Sequence, residues 1–275
     1  RHLKAVHVAG FATRMALSGA FAQEAAPAAA EKAAAPEMEN ESSLWASGSI
    51  DISSGYIYDS GTVLSDDLAF QPWFGFGFDA LDRIPLEFGA WANYATDRID
   101  ETQTQKHCFN EVDLSVGTSF ESDGGTAASL SLVTWQYPNM EGWNGEELLF
   151  GSLSQTVGIL TLGTELEFML TGDYDNDLHV IPFAEIGFDI TEDVAVALYG
   201  QLHYNYGEGE AVDAWTAYNL KATVSAFDFS VYAAYWGQID DKIYTDETHD
   251  VEDTIFGLSY AFELVREAVA AAPPT

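Results

Sequence analysis

The chain has 275 residues, of which 47% are hydrophobic and 13% aromatic, and its 10 basic and 44 acidic residues give a formal net charge of −34. Such a negative field repels phosphate groups, so nucleic acid is not expected as a partner. No run of eighteen apolar residues is present, which excludes an ordinary transmembrane helix but leaves open membrane strands, because these show lipid only at every second residue. The single Cys108 excludes an intramolecular disulfide.

The first 43 residues are predicted to serve export and tethering. Arg1 and Lys4 precede small and apolar residues that end in Ala-Phe-Ala at 20–22. This pattern is typical of a secretory signal peptide, which we assign to residues 1–22. Residues 23–43 are rich in Ala, Pro and Glu. A flexible linker is expected there, because so few bulky apolar side chains cannot offset the entropy of ordering the chain.

Residues 44–262 are predicted to form twelve β-strands, since apolar side chains recur there at every second position between turn residues. The clearest strand turns one face of six bulky apolar residues away from a smaller, more polar face; the six are Leu68, Phe70, Pro72, Phe74, Phe76 and Phe78. The segments 126–137 and 146–157 alternate poorly but are also interpreted as strands.

The connections between these strands are of two kinds that alternate along the chain. Short turns are predicted at 80–83, 121–125, 158, 191–193 and 225–227, and longer polar loops at 59–66, 95–107, 138–145, 172–177, 207–213 and 238–253. Up-and-down outer-membrane barrels sort their connections in this way, with tight turns in the periplasm and long loops outside. The predicted fold class is therefore all-β, an antiparallel up-and-down transmembrane β-barrel of about twelve strands. The alternative is a secreted soluble β-protein.

Aromatic residues cluster near the predicted strand ends, which is typical of the rings that mark the two edges of a membrane barrel. We assign ten residues to these girdles: Tyr56, Tyr58, Tyr94, Tyr137, Tyr204, Tyr206, Trp215, Tyr218, Tyr235 and Tyr260.

The last predicted strand, 256–262, alternates large apolar and small residues and closes on Phe262. A glycine at 257 with aromatic residues three and five positions later resembles the closing-strand signal of bacterial outer-membrane barrels. That resemblance implies recognition by the barrel-assembly machinery during insertion. Residues 263–275 are expected to form a C-terminal tail, frayed or as a short helix.

The first strand and loop carry a second resemblance. The segment Ser-Ser-Gly-Tyr at 53–56, then Gly61, Leu-Ser-Asp-Asp at 64–67 and Phe-Gln-Pro at 70–72, resembles the porin-like TorF family. In that family a first strand ending in an aromatic residue leads into a loop containing Gly and Asp, then into a second strand. The resemblance implies an outer-membrane, porin-like protein and supplies no catalytic residue.

Several charged residues are predicted to face the barrel interior: Asp51, Glu87, Glu111, Asp113, Glu165, Glu167, Glu185, Asp189 and Lys221. An excess of carboxylates raises the local cation concentration and opposes anions. The first hypothesis is a narrow porin-like channel that passes small solutes by diffusion and prefers cations. The second is a plugged, non-conducting barrel that acts through its acidic extracellular loops, in which the carboxylates, Lys221, Gln71, Gln201 and His203 form a hydrogen-bonded polar core. A barrel of twelve strands is intermediate in size between small barrels filled by side chains and large barrels with an open channel. The strand count therefore does not decide between these two hypotheses.

A metal site is a further hypothesis, because the loop residues Asp173, Asp175, Asp177 and His179 offer oxygen and nitrogen ligands at alternating positions. The alternative is a solvated loop, since the glycine and distal glutamate of an EF-hand are absent.

No common catalytic motif is present in the sequence, neither Gly-x-Ser-x-Gly nor His-Glu-x-x-His nor a phosphate-binding loop. An enzyme is therefore not expected, and no cofactor is expected either. The expected partners are outer-membrane lipid, the barrel-assembly machinery, and small solutes or cations. The expected location is the bacterial outer membrane.

Overall fold

A computed structural model describes residues 41–57, 63–65, 67–81, 84–97, 105–142, 145–172, 176–207, 214–239 and 253–270. The predicted signal peptide and residues 23–40 of the predicted linker lie outside these ranges. No helix in the described ranges is long and apolar enough to cross a membrane.

The described residues form fourteen strands: β1 (Glu41–Ser53), β2 (Tyr56–Ile57), β3 (Val63–Ser65), β4 (Ala69–Leu81), β5 (Ile84–Ala95), β6 (Cys108–Glu121), β7 (Thr126–Gln136), β8 (Glu146–Val157), β9 (Leu160–Met169), β10 (Leu178–Thr191), β11 (Val194–Tyr206), β12 (Ala214–Ala226), β13 (Phe229–Gln238) and β14 (Asp253–Ala270). All except β2 and β3 pair antiparallel with both neighbours in one closed barrel, which β14 completes by pairing with β1. The pair β2–β3 is a separate two-stranded sheet. The predicted fold, a twelve-stranded antiparallel barrel, is confirmed.

Side chains alternate between an apolar outer face and a buried inner face. Along β4, the outward Phe70, Phe74, Phe76 and Phe78 are exposed, while the inward Gln71 and Trp73 are buried. The weak alternation of the sequence in β8 has a structural reason: its inward residues Leu148 and Phe150 are as apolar as its outward residues Leu149 and Leu153. The middle of this strand therefore has bulky apolar residues on both faces, with polar residues such as Ser152 and Ser154 further along its inner face, and the strand is present all the same.

Short and long connections lie at opposite ends of the barrel, as predicted. We call these the short-turn end and the long-loop end. The turn between β8 and β9 contains only Gly158 and Ile159, and Gly158 adopts φ +63°, a conformation that residues with side chains rarely take. Twelve strands with their connections sorted in this way make an up-and-down barrel.

Aromatic rings pair on the outer face near both ends of the barrel. At the long-loop end Tyr204 packs edge-on against Trp215 with ring centroids 5.1 Å apart, and at the short-turn end Phe229 lies 4.8 Å from Tyr260. Two of the predicted girdle assignments are wrong, because Tyr56 and Tyr137 are buried inside the barrel. Tyr58 lies outside the described residues.

The terminal strands run further than the alternation pattern indicates. β14 continues past Phe262 to Ala270, and β1 begins at Glu41, its partner in the ladder. The first eight residues of the expected C-terminal tail are therefore strand, because pairing with β1 satisfies their backbone groups. A bulge explains why the pattern stops: Ala46 pairs with Val265 and Ser47 with Glu263, which leaves Leu264 as an extra residue that breaks the period of two.

Candidate functional site in the barrel interior

The structure places the predicted interior charges on the inner face. Six carboxylates and the lysine are buried, namely Asp51, Glu87, Glu111, Asp113, Glu165, Glu167 and Lys221. Glu185 is half-buried and Asp189 exposed, since both lie on β10 towards the short-turn end. Two further buried carboxylates, Glu146 and Asp177, were not predicted as interior charges, although Asp177 belongs to the predicted metal site. Glu146 is the first residue of β8 and Asp177 directly precedes β10, so no run of alternation precedes either residue.

Asp51, Tyr232 and Lys221 form a connected group, which we call the Lys221 cluster. The Tyr232 hydroxyl donates a 2.8 Å hydrogen bond to Asp51 Oδ1. Lys221 Nζ lies 4.1 Å from the centroid of the Tyr232 ring and is the electrostatic partner of Asp51. Asp51 is on β1, Tyr232 on β13 and Lys221 on β12. Each side chain points inward from its strand, which brings the three together.

On another part of the inner face, four carboxylates make what we call the acidic wall: Glu111 and Asp113 on β6, and Glu165 and Glu167 on β9. Asp113 feels the charges of both Glu111 and Glu167. Glu167 Oε2 lies 3.3 Å from His179 Nδ1. Among the side chains whose burial the structure describes, Lys221 is the one buried lysine or arginine, and the negative charges of Asp51 and Glu185 act on it. Burying several carboxylates near one another is costly, so the acidic wall favours protons or mobile cations beside it.

Neutral polar side chains join the strands around these charges. Gln201 Nε2 lies 2.7 Å from His203 Nε2. The amide nitrogen has no acceptor lone pair, so it donates this hydrogen bond and the imidazole nitrogen accepts it. Tyr199 donates to Gln201 Oε1 at 2.6 Å. On the other side, Gln71 donates to Asn93 at 3.1 Å, and Asn93 donates to Asn110 at 2.6 Å. These contacts are the kind of polar core that the plugged-barrel hypothesis expects.

Apolar side chains fill much of the remaining interior. The first apolar cluster contains Tyr56, Ala69, Trp73, Trp91, Val133, Trp135, Tyr137, Met140, Leu148, Phe150 and Met169. The second apolar cluster contains Ile57, Ala217, Tyr232, Ala234, Trp236 and Ile255. For Trp73 and Trp91 the inner face follows from the sequence, because both stand out of phase with the outward apolar residues of their strands.

Packing differs between the two ends of the interior. In the half towards the long-loop end, inward residues such as Trp135, His203 and Trp236 are completely or almost completely buried. Towards the short-turn end, inward positions on β6, β7 and β9, namely Ser119, Ser129 and Thr161, are only half-buried, whereas Ser225 and Ser230 beside the turn between β12 and β13 are buried. The interior is therefore more accessible from the short-turn end beside β6, β7 and β9 than in the other half.

The predicted metal site is only partly within the described residues. Asp177 and His179 are buried, whereas Asp173 and Asp175 lie outside the described ranges. Among the described side chains, no group of three or more His, Cys, Asp or Glu residues is arranged to hold a metal ion. The metal site stays a prediction.

Comparison with known proteins gives distant structural similarity alone. No protein-family model and no curated protein sequence matches the chain, so the TorF resemblance stays a prediction. Solved structures similar to this chain include the COG4313 outer membrane channel from Pseudomonas putida F1, with 11% identity over 86% of this chain and 100% of that one, and a TM-score of 0.44. The NanC porin is 14% identical over 78% of this chain and 100% of its own, with a TM-score of 0.46. OmpT, an outer membrane protein of Vibrio cholerae, is 9% identical over 81% of this chain and 98% of its own, with a TM-score of 0.33.

Proposed function

We propose that the chain is a bacterial outer-membrane barrel that admits small solutes and prefers cations. The observation that carries this proposal is the charge of the interior. Among the side chains whose burial the structure describes, one cationic side chain, Lys221, and eight carboxylates are buried: Asp51, Glu87, Glu111, Asp113, Glu146, Glu165, Glu167 and Asp177.

The outer face supports a membrane location. A closed barrel satisfies its backbone hydrogen bonds within the wall, which is the condition for strands to cross a bilayer. Exposed Leu, Phe, Val and Ile side chains cover the outside, with aromatic pairs such as Tyr204–Trp215 and Phe229–Tyr260 near the two ends. Water would not favour so large an exposed apolar surface. Export through a signal peptide at residues 1–22 and insertion by the barrel-assembly machinery belong to the same proposal.

The acidic interior sets the expected selectivity. Buried carboxylates stabilise a passing cation and raise the energy of an anion, because the surrounding protein screens charge poorly. Since the interior is closely packed towards the long-loop end, any passage is narrow and requires side chains to move. We therefore expect small cations rather than bulky solutes to cross most readily.

Substitution in the acidic wall tests this function. In planar bilayers with a salt gradient, Glu165→Gln/Glu167→Gln is expected to move the reversal potential towards zero, because two interior charges are lost. The matched control is Glu192→Gln/Asp193→Asn, which removes two exposed carboxylates from the turn between β10 and β11 and should leave selectivity nearly unchanged. Equal selectivity of the interior variant and the unmodified protein would contradict the acidic-interior mechanism.

A non-conducting barrel is the second candidate, favoured by the packed half of the interior. In that case the interior groups hold the wall together, and the acidic loops at the long-loop end contact a partner. If protein that is shown to have inserted gives no current steps, the result would support this candidate and contradict the channel proposal.

A further inference from the structure

The chain turns into the barrel directly after β1. Tyr56 and Ile57, which we call the inward segment, are each only 1% exposed although they follow the end of a barrel strand. Their approach is fixed by hydrogen bonds: Ser53 Oγ donates to the Gly55 carbonyl at 2.8 Å, and Ser54 N donates to the Phe256 carbonyl at 2.8 Å. Phe256 N in turn donates to Ser54 Oγ at 3.0 Å. The start of the loop is thus held against β14.

The inward segment contacts two separate parts of the wall. The Tyr56 ring lies 5.5 Å from the Trp91 ring on β5 and belongs to the first apolar cluster. Ile57 belongs to the second apolar cluster, together with Ala217 on β12 and Trp236 on β13. Around the barrel, β13, β14, β1 and β4 stand between β12 and β5. These two adjacent residues therefore cross the part of the lumen beside β1, from β5 on one side to β12 and β13 on the other.

Beneath the inward segment lies a small cavity, with room for about one water molecule. Gly55 and Tyr56 line it together with Gln71, Tyr232 and Ala234. Tyr232 is the residue that hydrogen-bonds Asp51 in the Lys221 cluster. The inward segment therefore stands between the long-loop end and these interior charges.

We propose that Tyr56 and Ile57 form a lid that closes this side of the lumen above Asp51 and Lys221. The lid would control access to the proposed channel, and this inference rests on the proposed channel function. β2, which consists of these two residues, pairs with β3 and not with the barrel sheet. The segment can therefore leave its place without breaking a barrel ladder, while the burial of its two side chains and the polar contact of Tyr56 with Glu111 oppose that movement.

Cysteine labelling tests the lid without requiring current. In a Cys108→Ser background, Ala234→Cys places a thiol at a completely buried position of the second apolar cluster. A water-soluble cationic thiol reagent should label it slowly. Adding Tyr56→Gly/Ile57→Gly should raise the labelling rate about tenfold or more, because protection depends on how often the site opens. The control Val157→Gly/Ile159→Gly truncates two exposed apolar residues at the short-turn end and should leave the rate unchanged.

Heat-modified migration on gels and circular dichroism are used to select folded barrels, and conductance is measured on the same variants. Faster labelling together with larger conductance supports both lid and channel. Faster labelling without any current supports the lid and overturns the channel. An unchanged labelling rate in folded Tyr56→Gly/Ile57→Gly protein overturns the lid, whatever its conductance.

Discussion

Tyr232 on β13 donates its hydroxyl hydrogen bond to Asp51 on β1, although β14 lies between these two strands. The ring crosses β14 at Gly257, where a Cβ atom would collide with the Tyr232 ring and hydroxyl. A glycine is therefore needed at this position of the closing strand, because the Tyr232 side chain, which connects β13 with β1, occupies the space that a Cβ atom would take.

Substituting Gly257 should disturb this connection. Gly257→Ala forces the Tyr232 ring away from Asp51, and we expect unfolding free energy to fall by about 1–3 kcal/mol from overpacking and the lost hydrogen bond. Urea unfolding in lipid vesicles, followed by tryptophan fluorescence, measures the change. The matched control is Gly151→Ala on β8, where the nearest atom to an added Cβ is the Ser129 carbonyl oxygen at 3.8 Å. Equal loss in both variants would show that Gly257 has no special packing role.

Removing the buried lysine should be more costly than removing it together with its partner. Lys221→Met leaves Asp51 without its buried cation, and the expected loss is about 3–5 kcal/mol of unfolding free energy. Asp51→Asn/Lys221→Met removes both charges and should recover most of that loss. The two single variants and the double variant form a thermodynamic cycle in urea. Simple additivity in this cycle would rule out coupling between the two side chains.

Tryptophan positions give a test of which face meets lipid. Trp215 is 42% exposed on the outer face near the long-loop end, whereas Trp236 is fully buried inside. In vesicles of brominated lipid, quenching of the Trp215 indole is expected because bromine quenches only rings that it can approach. Trp215→Phe should therefore reduce the quenched fraction of the fluorescence, while Trp236→Phe should remove mainly unquenched signal. The reverse result would mean that the assigned faces are exchanged.

Much of the barrel could be predicted from the sequence because alternation is a local property. Residues such as Phe74 and Phe76 on β4 show their outward phase directly, and acidic residues such as Glu165 and Glu167 take the opposite phase on β9. This pattern gives the number of strands and the order of long and short connections. It also gives the inward direction of the predicted carboxylates.

Features that depend on contacts between distant strands could not be predicted. Tyr56 looks like a girdle residue in sequence, because nothing local shows that the loop turns inward to Trp91. The extension of β14 is hidden by the bulge at Leu264, which reverses the alternation. The inward direction of Phe150 could not be predicted, because the segment 146–157 alternates poorly in the sequence. Each of these features depends on pairing or packing between segments that are distant in the sequence.

The most direct test of the central claim, that the acidic interior admits cations, is the reversal potential of the unmodified protein in a planar bilayer under a potassium chloride gradient. The account predicts discrete current steps whose reversal potential shifts towards the potassium equilibrium potential. A shift towards the chloride equilibrium potential, or a complete lack of steps from protein shown to have inserted, would contradict it.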